Sequence, residues 1–150
     1  MPRKPTKRDL ARISPDLRKL PLVHVSKLIP DPNNARLHPG RNLDALKISM
    51  TKHGQRKNIV VNRKGGVIEA GNGTLEAAID LGWNYLAVSF EDDTDLQAME
   101  YAIADNRTAE LAVWNTEQLG LNVIEVHEMG DVPLEAVSYT HLTLPTNREV

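Results

Sequence analysis

Apolar positions along the chain fall into short runs of two different periods. Leu22-Val23-His24-Val25, followed by Leu28-Ile29, predicts a strand and its exit, with His24 as a packed or edge histidine between valines. Pro30-Asp31-Pro32-Asn33-Asn34 then stops regular structure. An irregular segment carrying Arg36 and His38 runs on to Pro39-Gly40. Leu43, Leu46 and Met50 recur on one helical face with Ile48 beside it, which predicts a helix over 43–53, capped by Asn42 and stopped at Gly54. Ile59-Val60-Val61 reads as a buried strand, Lys64-Gly65-Gly66 turns it back, and Val67-Ile68-Glu69-Ala70 returns beside it. Leu75 to Leu81 is strongly helical and Gly82 closes it. Tyr85 to Phe90 is a further strand. Asp92 to Asp95 opens a helix over 95–106 whose apolar face is Leu96, Met99 and Ile103, its acidic start matching the helix dipole. Asn115-Thr116 caps a last helix through His127, ended by Met129-Gly130. There is no internal repeat, and the alternation of strands with helices predicts one small α/β domain.

The two ends do not follow this pattern. Residues 1–20 are rich in Lys, Arg and Pro with few apolar positions, and are expected to form a basic flexible arm with at most one short helix. Such an arm contacts nucleic-acid backbones without reading sequence, through Arg3, Lys4, Lys7 and Arg8; a solubilising tail is the competing reading. The domain proper is expected over 21–136. Residues 137–150, from Val137-Ser138-Tyr139-Thr140 onward, resemble translated sequencing-adapter read-through. They are expected to be non-native, with the natural protein continuing past residue 136.

Composition narrows the chemistry. The 150 residues are 41% hydrophobic and 25% charged, ordinary for a soluble globular domain with a true core. No apolar run is long enough to span a membrane. With no cysteine there is no disulfide, thiolate metal site or cysteine nucleophile, and a cytoplasmic setting is expected. The net charge of −2 conceals a polarity: residues 1–64 hold nearly all of the 18 Lys and Arg, whereas residues 91–135 hold a dozen acidic residues against Arg107 alone. A basic half of this kind steers anionic partners toward itself.

The strongest chemical signal is Ala70-Gly71-Asn72-Gly73-Thr74. A strand ending in a glycine-rich turn that opens a helix gathers unpaired backbone N–H groups at the positive end of the helix dipole, a setting for phosphate. Gly71 and Gly73 permit close approach of a ligand, and Asn72 and Thr74 offer side-chain hydrogen bonds, unless Thr74 simply caps the helix. The lysine of a Walker loop and the third glycine of a dinucleotide fingerprint are both missing, so a tight turn without ligand stays open. Two further segments belong with it: Asn34-Ala35-Arg36 in a loop, and Ala104-Asp105-Asn106-Arg107 at the expected end of a helix.

In order, these segments resemble the ParB N-terminal (ParB/sulfiredoxin-like nuclease) domain family over about Val23 to Leu119. Pro32 to Arg36 matches its Pro-Asn-x-x-Arg loop. His53-Gly54 and Gln55 to Val61 match the following helix end and strand. Val67 to Ala78 matches its Gly-Glu-Arg-Arg box, and Ala104 to Leu111 its Glu-Asn box. The Gly-Asn-Gly-Thr and Ala-Asp-Asn-Arg variants are most similar to the phage and methyltransferase-associated branch. The resemblance implies a small mixed β-sheet with surrounding helices around a nucleotide pocket, DNA as partner, and a possible homodimer. It implies a nucleoside triphosphate with Mg2+ held by Arg36, Lys57, Gly71, Asn72, Gly73, Thr74, Asp105, Asn106 and Arg107. Gly73 and Thr74 replace the two box arginines, Lys57 a glutamine and Asn58 a proline, and this loss of charge-assisted phosphate contacts argues against CTP. Sulfiredoxin chemistry is excluded for want of its cysteine.

Three functions follow as expectations. The first is a nucleotide-binding or phosphate-binding module in a DNA-associated process such as phage DNA handling, partition or DNA modification. The second is a nuclease or NTP hydrolase using Glu69, Glu76 or Asp105, with Glu69 expected to point outward from its strand and Glu76 to lie on a solvated helix face. The third is a non-catalytic adaptor for a missing C-terminal domain.

Overall fold

The computed structural model describes residues 2–34, 36–37 and 40–130. The expectations for His38, Pro39, the domain limit at residue 136 and the segment 137–150 lie outside the described residues. The chain divides into two compact units, with the boundary after Ala109.

Four strands form the sheet of the first unit: β1 (Leu22–His24), β2 (Ile59–Asn62), β3 (Ile68–Ala70) and β4 (Tyr85–Glu91), in spatial order β1-β4-β2-β3. The β1–β4 and β2–β3 pairs are antiparallel, and β2 runs parallel to β4 with Ile59 opposite Val88 and Asn62 opposite Glu91. The sheet is therefore mixed. The parallel pair is created because β3 and the next helix carry the chain over before it returns as β4. The helices are α1 (Lys7–Ala11), α2 (Gly40–His53), α3 (Asn72–Asp80), α4 (Asp95–Leu111) and α5 (Thr116–Gly130).

The core forms where the apolar faces of α2 and α3 meet the sheet. Ile59, Val61, Ile68, Leu86 and Val88 from the strands pack with Leu75, Ala77 and Ala78 of α3 and Met50 of α2, with Leu43 and Leu46 against them. The face expected of α2, Leu43, Leu46 and Met50, is the one turned to the core. Lys47 of α2 reaches Asp80 of α3 at 3.6 Å across the outer side of that packing.

Three boundaries depart from expectation. Helix α2 starts at Gly40, so Asn42 lies within it rather than capping it. Helix α3 starts at Asn72 with Gly71 as N-cap, not at Leu75, because the glycine turn itself supplies the first helical residues. Helix α4 continues to Leu111, so Asp105 to Arg107 lie inside it; the helix-favouring Ala109-Glu110-Leu111 carries it past the weaker Asp105-Asn106 pair. Its expected apolar face is not covered: Leu96, Met99 and Ile103 are 65%, 52% and 60% exposed.

The basic N-terminal segment also differs from a flexible arm. Thr6 and Asp9 form a capping box on α1, Thr6 accepting from the Asp9 N–H and Asp9 accepting from the Thr6 N–H at 2.8 Å. Ile13 is buried and bridges to Gln55, and the Arg18 side chain donates to the carbonyls of Leu10 and Ile13. One buried isoleucine with a paired backbone anchors a segment that its charge content alone marked as loose.

In the second unit, α5 is capped as expected, Asn115 Oδ1 accepting from the Gln118 N–H at 3.0 Å, and it buries Leu119, Gly120 and Val123. No helix among the described residues is long and apolar enough to cross a membrane.

Candidate functional site

Gly71 begins the site. Its φ of 108° lies in the left-handed region, and a Cβ there would come within 2.1 Å of Ile59 Cγ2. Only glycine satisfies both conditions, so β3 can turn directly into α3 over the packed strand β2. No side chain caps α3, which leaves the first-turn N–H groups of Asn72, Gly73 and Thr74 facing a concavity of about 270 Å³.

The walls of that concavity come from distant parts of the sequence. Asn34 and Arg36 contribute from the loop before α2, Asn42 and Leu46 from α2, Glu69 to Thr74 from the β3–α3 turn, and Asp105 and Asn106 from α4. Arg36 Nη1 donates to Asn106 Oδ1 at 3.2 Å, tying two walls together. Asn34 steadies Arg36 from both sides of its backbone, accepting from its N–H and donating to its carbonyl. Asn72, expected to serve a ligand, spends its carbonyl oxygen on the Asp31 N–H at 2.9 Å and so fastens the loop to the helix start.

Of the nine expected phosphate-site residues, Arg36, Gly71 to Thr74, Asp105 and Asn106 come together, while Lys57 and Arg107 are not on the wall. Lys57 is exposed, and its carbonyl accepts from Gln55 Nε2. Arg107, in the same helix as Asn106, is absent from the residues that line the concavity.

Glu69 contradicts its expectation. It is 5% exposed instead of pointing outward. Asn62 on β2 donates to its Oε1 at 3.3 Å, while Oε2 is buried with no hydrogen-bond donor. Burial pushes the Glu69 carboxyl above its ordinary value, and the neighbouring Asp93 carboxyl and then Glu91 push it further, against the hydrogen bond from Asn62. Burial likewise raises the Tyr101 hydroxyl on α4, with added repulsion from Asp105, Glu69 and Glu91. An acid set within an otherwise apolar strand was the one sequence sign of this. Glu76 is exposed, as expected of a solvated helix face. Among the described residues no three His, Asp or Glu side chains are grouped to hold a metal by themselves.

Gln55 was missed as a structural residue. Its buried amide accepts from the Ala87 N–H at 2.8 Å and donates to the Ala87 carbonyl at 2.9 Å, holding the end of α2 to β4. His24 packs as expected, edge-on to Tyr85 at 5.3 Å.

A second concavity, about 480 Å³, lies at the other end of α3, about 14 Å along its axis. Arg3, Lys4, Arg8, Arg12 and His24 line it together with the buried Asp9; Lys7 is not on its wall. Arg12 stacks over Trp83 at 5.5 Å.

No family model matches the chain, and no curated protein matches it. Solved structures do. The C-terminally truncated chromosome-partitioning protein ParB from Caulobacter crescentus, complexed with CTP-γ-S, aligns with a TM-score of 0.65 at 21% identity, over 80% of this chain and 69% of that one. This chain has the fold of a ParB N-terminal domain. A Pnob8-like ParB-N domain aligns at 0.50 and 20% identity, over 73% of this chain and 46% of that one. The ParB-like fold expected from the ordered motifs is thus the fold observed, and the glycine turn, the Arg36 loop and the Asp105-Asn106 segment converge on one pocket within it.

Proposed function

We propose that the chain binds a nucleoside triphosphate, or a nucleic-acid phosphate, in the pocket between the α3 N-terminus, Arg36 and Asn106, and serves a DNA-associated process in the cytoplasm. One observation carries this reading: a helix start with no capping side chain faces the same concavity as Arg36, so backbone N–H groups, dipole and guanidinium address one point. The fold it shares with a protein complexed with CTP-γ-S supports a nucleotide as the ligand. That protein also keeps CTP among the candidates despite Gly73 and Thr74 in place of the box arginines. Phage DNA handling, partition and DNA modification are the candidate processes, and the Gly-Asn-Gly-Thr and Ala-Asp-Asn-Arg variants favour phage DNA handling and DNA modification. The basic concavity with Arg3, Lys4 and Arg8 supports a DNA backbone as partner.

Calorimetric titration with CTP, ATP and GTP in the presence of Mg2+ tests the reading. At least one is expected to bind below millimolar concentration, and no binding by any of them would sink it. A second reading, a ParB-like nuclease or NTP hydrolase, is favoured by Glu69, a buried carboxyl on the pocket wall with a raised proton affinity, as general acid–base groups have. It requires phosphate release or plasmid nicking by the wild type and at least a hundredfold loss in Glu69→Gln.

A further inference from the structure

The basic concavity at the far end of α3 is built into the fold and is not the flank of a loose tail. Thr6 and Asp9 cap α1, the Gln55 N–H donates to the Arg12 carbonyl at 2.8 Å, and Ile13 is buried next to it. These contacts fix the backbone that carries Arg8 and Arg12, so their side chains start from set positions. Arg3, Lys4 and Arg8 are exposed, line the same hollow and, among the described residues, form no ion pair.

Two groups there oppose an anion, and both are already satisfied. Asp9, the one acid on the wall among the described residues, accepts from the Thr6 N–H at 2.8 Å, from the Thr6 hydroxyl at 2.7 Å and from the Asn84 side chain. At the carbonyl end of α3, Ala77 accepts from the Leu81 N–H and Ile79 from the Gly82 N–H. Arg3, Lys4, Arg8 and Arg12 outweigh Asp9 and leave the hollow positive. His24 adds a donor: its Nδ1 accepts from the Ser26 N–H at 3.1 Å, which places the proton of the neutral ring on Nε2.

Shape then decides among phosphates. A duplex presents a ridge of singly charged phosphates and is met by cations spread along a face. Here the cations surround a hollow of about 480 Å³, a size within the range of about 300–1,000 Å³ that takes a small ligand. A terminal phosphate suits it, with nearly two charges near neutral pH and three acceptor oxygens on one atom. Arg3, Lys4, His24 and Tyr85 also line a second hollow of about 490 Å³, walled by Val23 and Phe90, which offers apolar surface to a sugar or base attached to that phosphate. Resting on the reading of this basic surface as a nucleic-acid contact, we infer that the concavity prefers the terminal phosphate of a nucleotide, a phosphomonoester, to the diester phosphates of a backbone. This site is separate from the pocket at the α3 N-terminus. A strand end or a free nucleoside monophosphate supplies the group.

The test is fluorescence anisotropy of the full chain with internally labelled single-stranded DNA at about 0.15 M salt. Probes of one sequence end in a 5′-phosphate, in a 3′-phosphate or in neither, and a further probe is one nucleotide longer, which adds backbone charge without a monoester. One of the phosphorylated probes is expected to bind about tenfold more tightly than the two unphosphorylated ones, the effect of one further charge-assisted hydrogen bond. With Arg3→Ala, Lys4→Ala and Arg8→Ala combined, all probes are expected to bind within about twofold of one another. Arg8→Glu, a single change at an exposed side chain, is expected to lose most of the preference and decides if the triple variant does not fold. Competition with adenosine 5′-monophosphate names the source: displacement shows that a free nucleotide suffices, and retention assigns the site to strand ends, either result upholding the inference. Equal wild-type binding of all probes, an equal gain from the added nucleotide, or a preference that survives in the variants overturns it while leaving backbone contact intact. Failure of every probe to bind overturns the nucleic-acid reading of this surface instead.

Discussion

Gly71 and Asp9 show how much single positions hold. At φ 108° and with Ile59 in the space of a Cβ, Gly71→Ala combines left-handed strain of about 1–2 kcal/mol with overpacking of about 1–3 kcal/mol. Urea denaturation should show a loss of roughly 3 kcal/mol, and the pocket should be displaced with it. Burial acts to raise the Asp9 carboxyl, but the Thr6 backbone and hydroxyl, Asn84 and the Arg12 charge outweigh it and hold the group below its ordinary value. A carboxyl lowered in this way stabilises the folded state above about pH 4, and the contribution is lost as pH falls through the lowered folded value. Acid titration followed by circular dichroism should therefore show wild type losing, below that pH, a stability increment that Asp9→Asn lacks throughout. Thr6→Ala, which removes the cap, should cost about 1 kcal/mol.

At the scale of elements, α2 and α3 lie where their apolar periodicity directs them, because each has a sheet face to cover. Helix α4 shows the limit of that logic. Its spacing identified a helix, but a stripe of Leu96, Met99 and Ile103 is buried only if another surface meets it, and here all three are more than half exposed. Leu96→Ser, Met99→Gln or Ile103→Gln should each change unfolding stability by less than about 0.5 kcal/mol in chemical denaturation, in contrast to the 2–5 kcal/mol expected for Leu75→Ala in the core. The β3–α3 turn was legible as a phosphate-type site because glycine and N-cap chemistry are local. The inward turn of Glu69 was not, since period-2 alternation on a three-residue strand cannot say which face another element will cover.

For the whole molecule, charge polarity takes on a spatial form. The basic N-terminal residues do not trail from the domain: Arg3, Lys4 and Arg8 join Arg12 and His24 around a concavity at the end of α3 opposite the glycine turn. If this surface meets a nucleic-acid backbone, replacing Arg3, Lys4 and Arg8 with alanine should weaken binding to DNA of any sequence. It should also flatten the slope of log K against log salt by about 0.9 for each contact removed. Fluorescence anisotropy at several salt concentrations measures both effects.

The sequence by itself determined the α/β class, the strands, the helices that bury a face, the glycine turn and the order of motifs that marks a ParB-like fold. These depend on local rules: side-chain period, capping, and the backbone freedom of glycine. Only the tertiary structure decided that Arg36 bonds to Asn106, that Lys57 and Arg107 stay off the pocket wall, that Ile13 ties down a basic segment, and that Glu69 is sealed beside Asp93. Each of these is a meeting of residues far apart in the chain. Burial and partner are properties of that meeting, because desolvation and Coulomb energies are set by what surrounds a group in space, not by its neighbours in sequence.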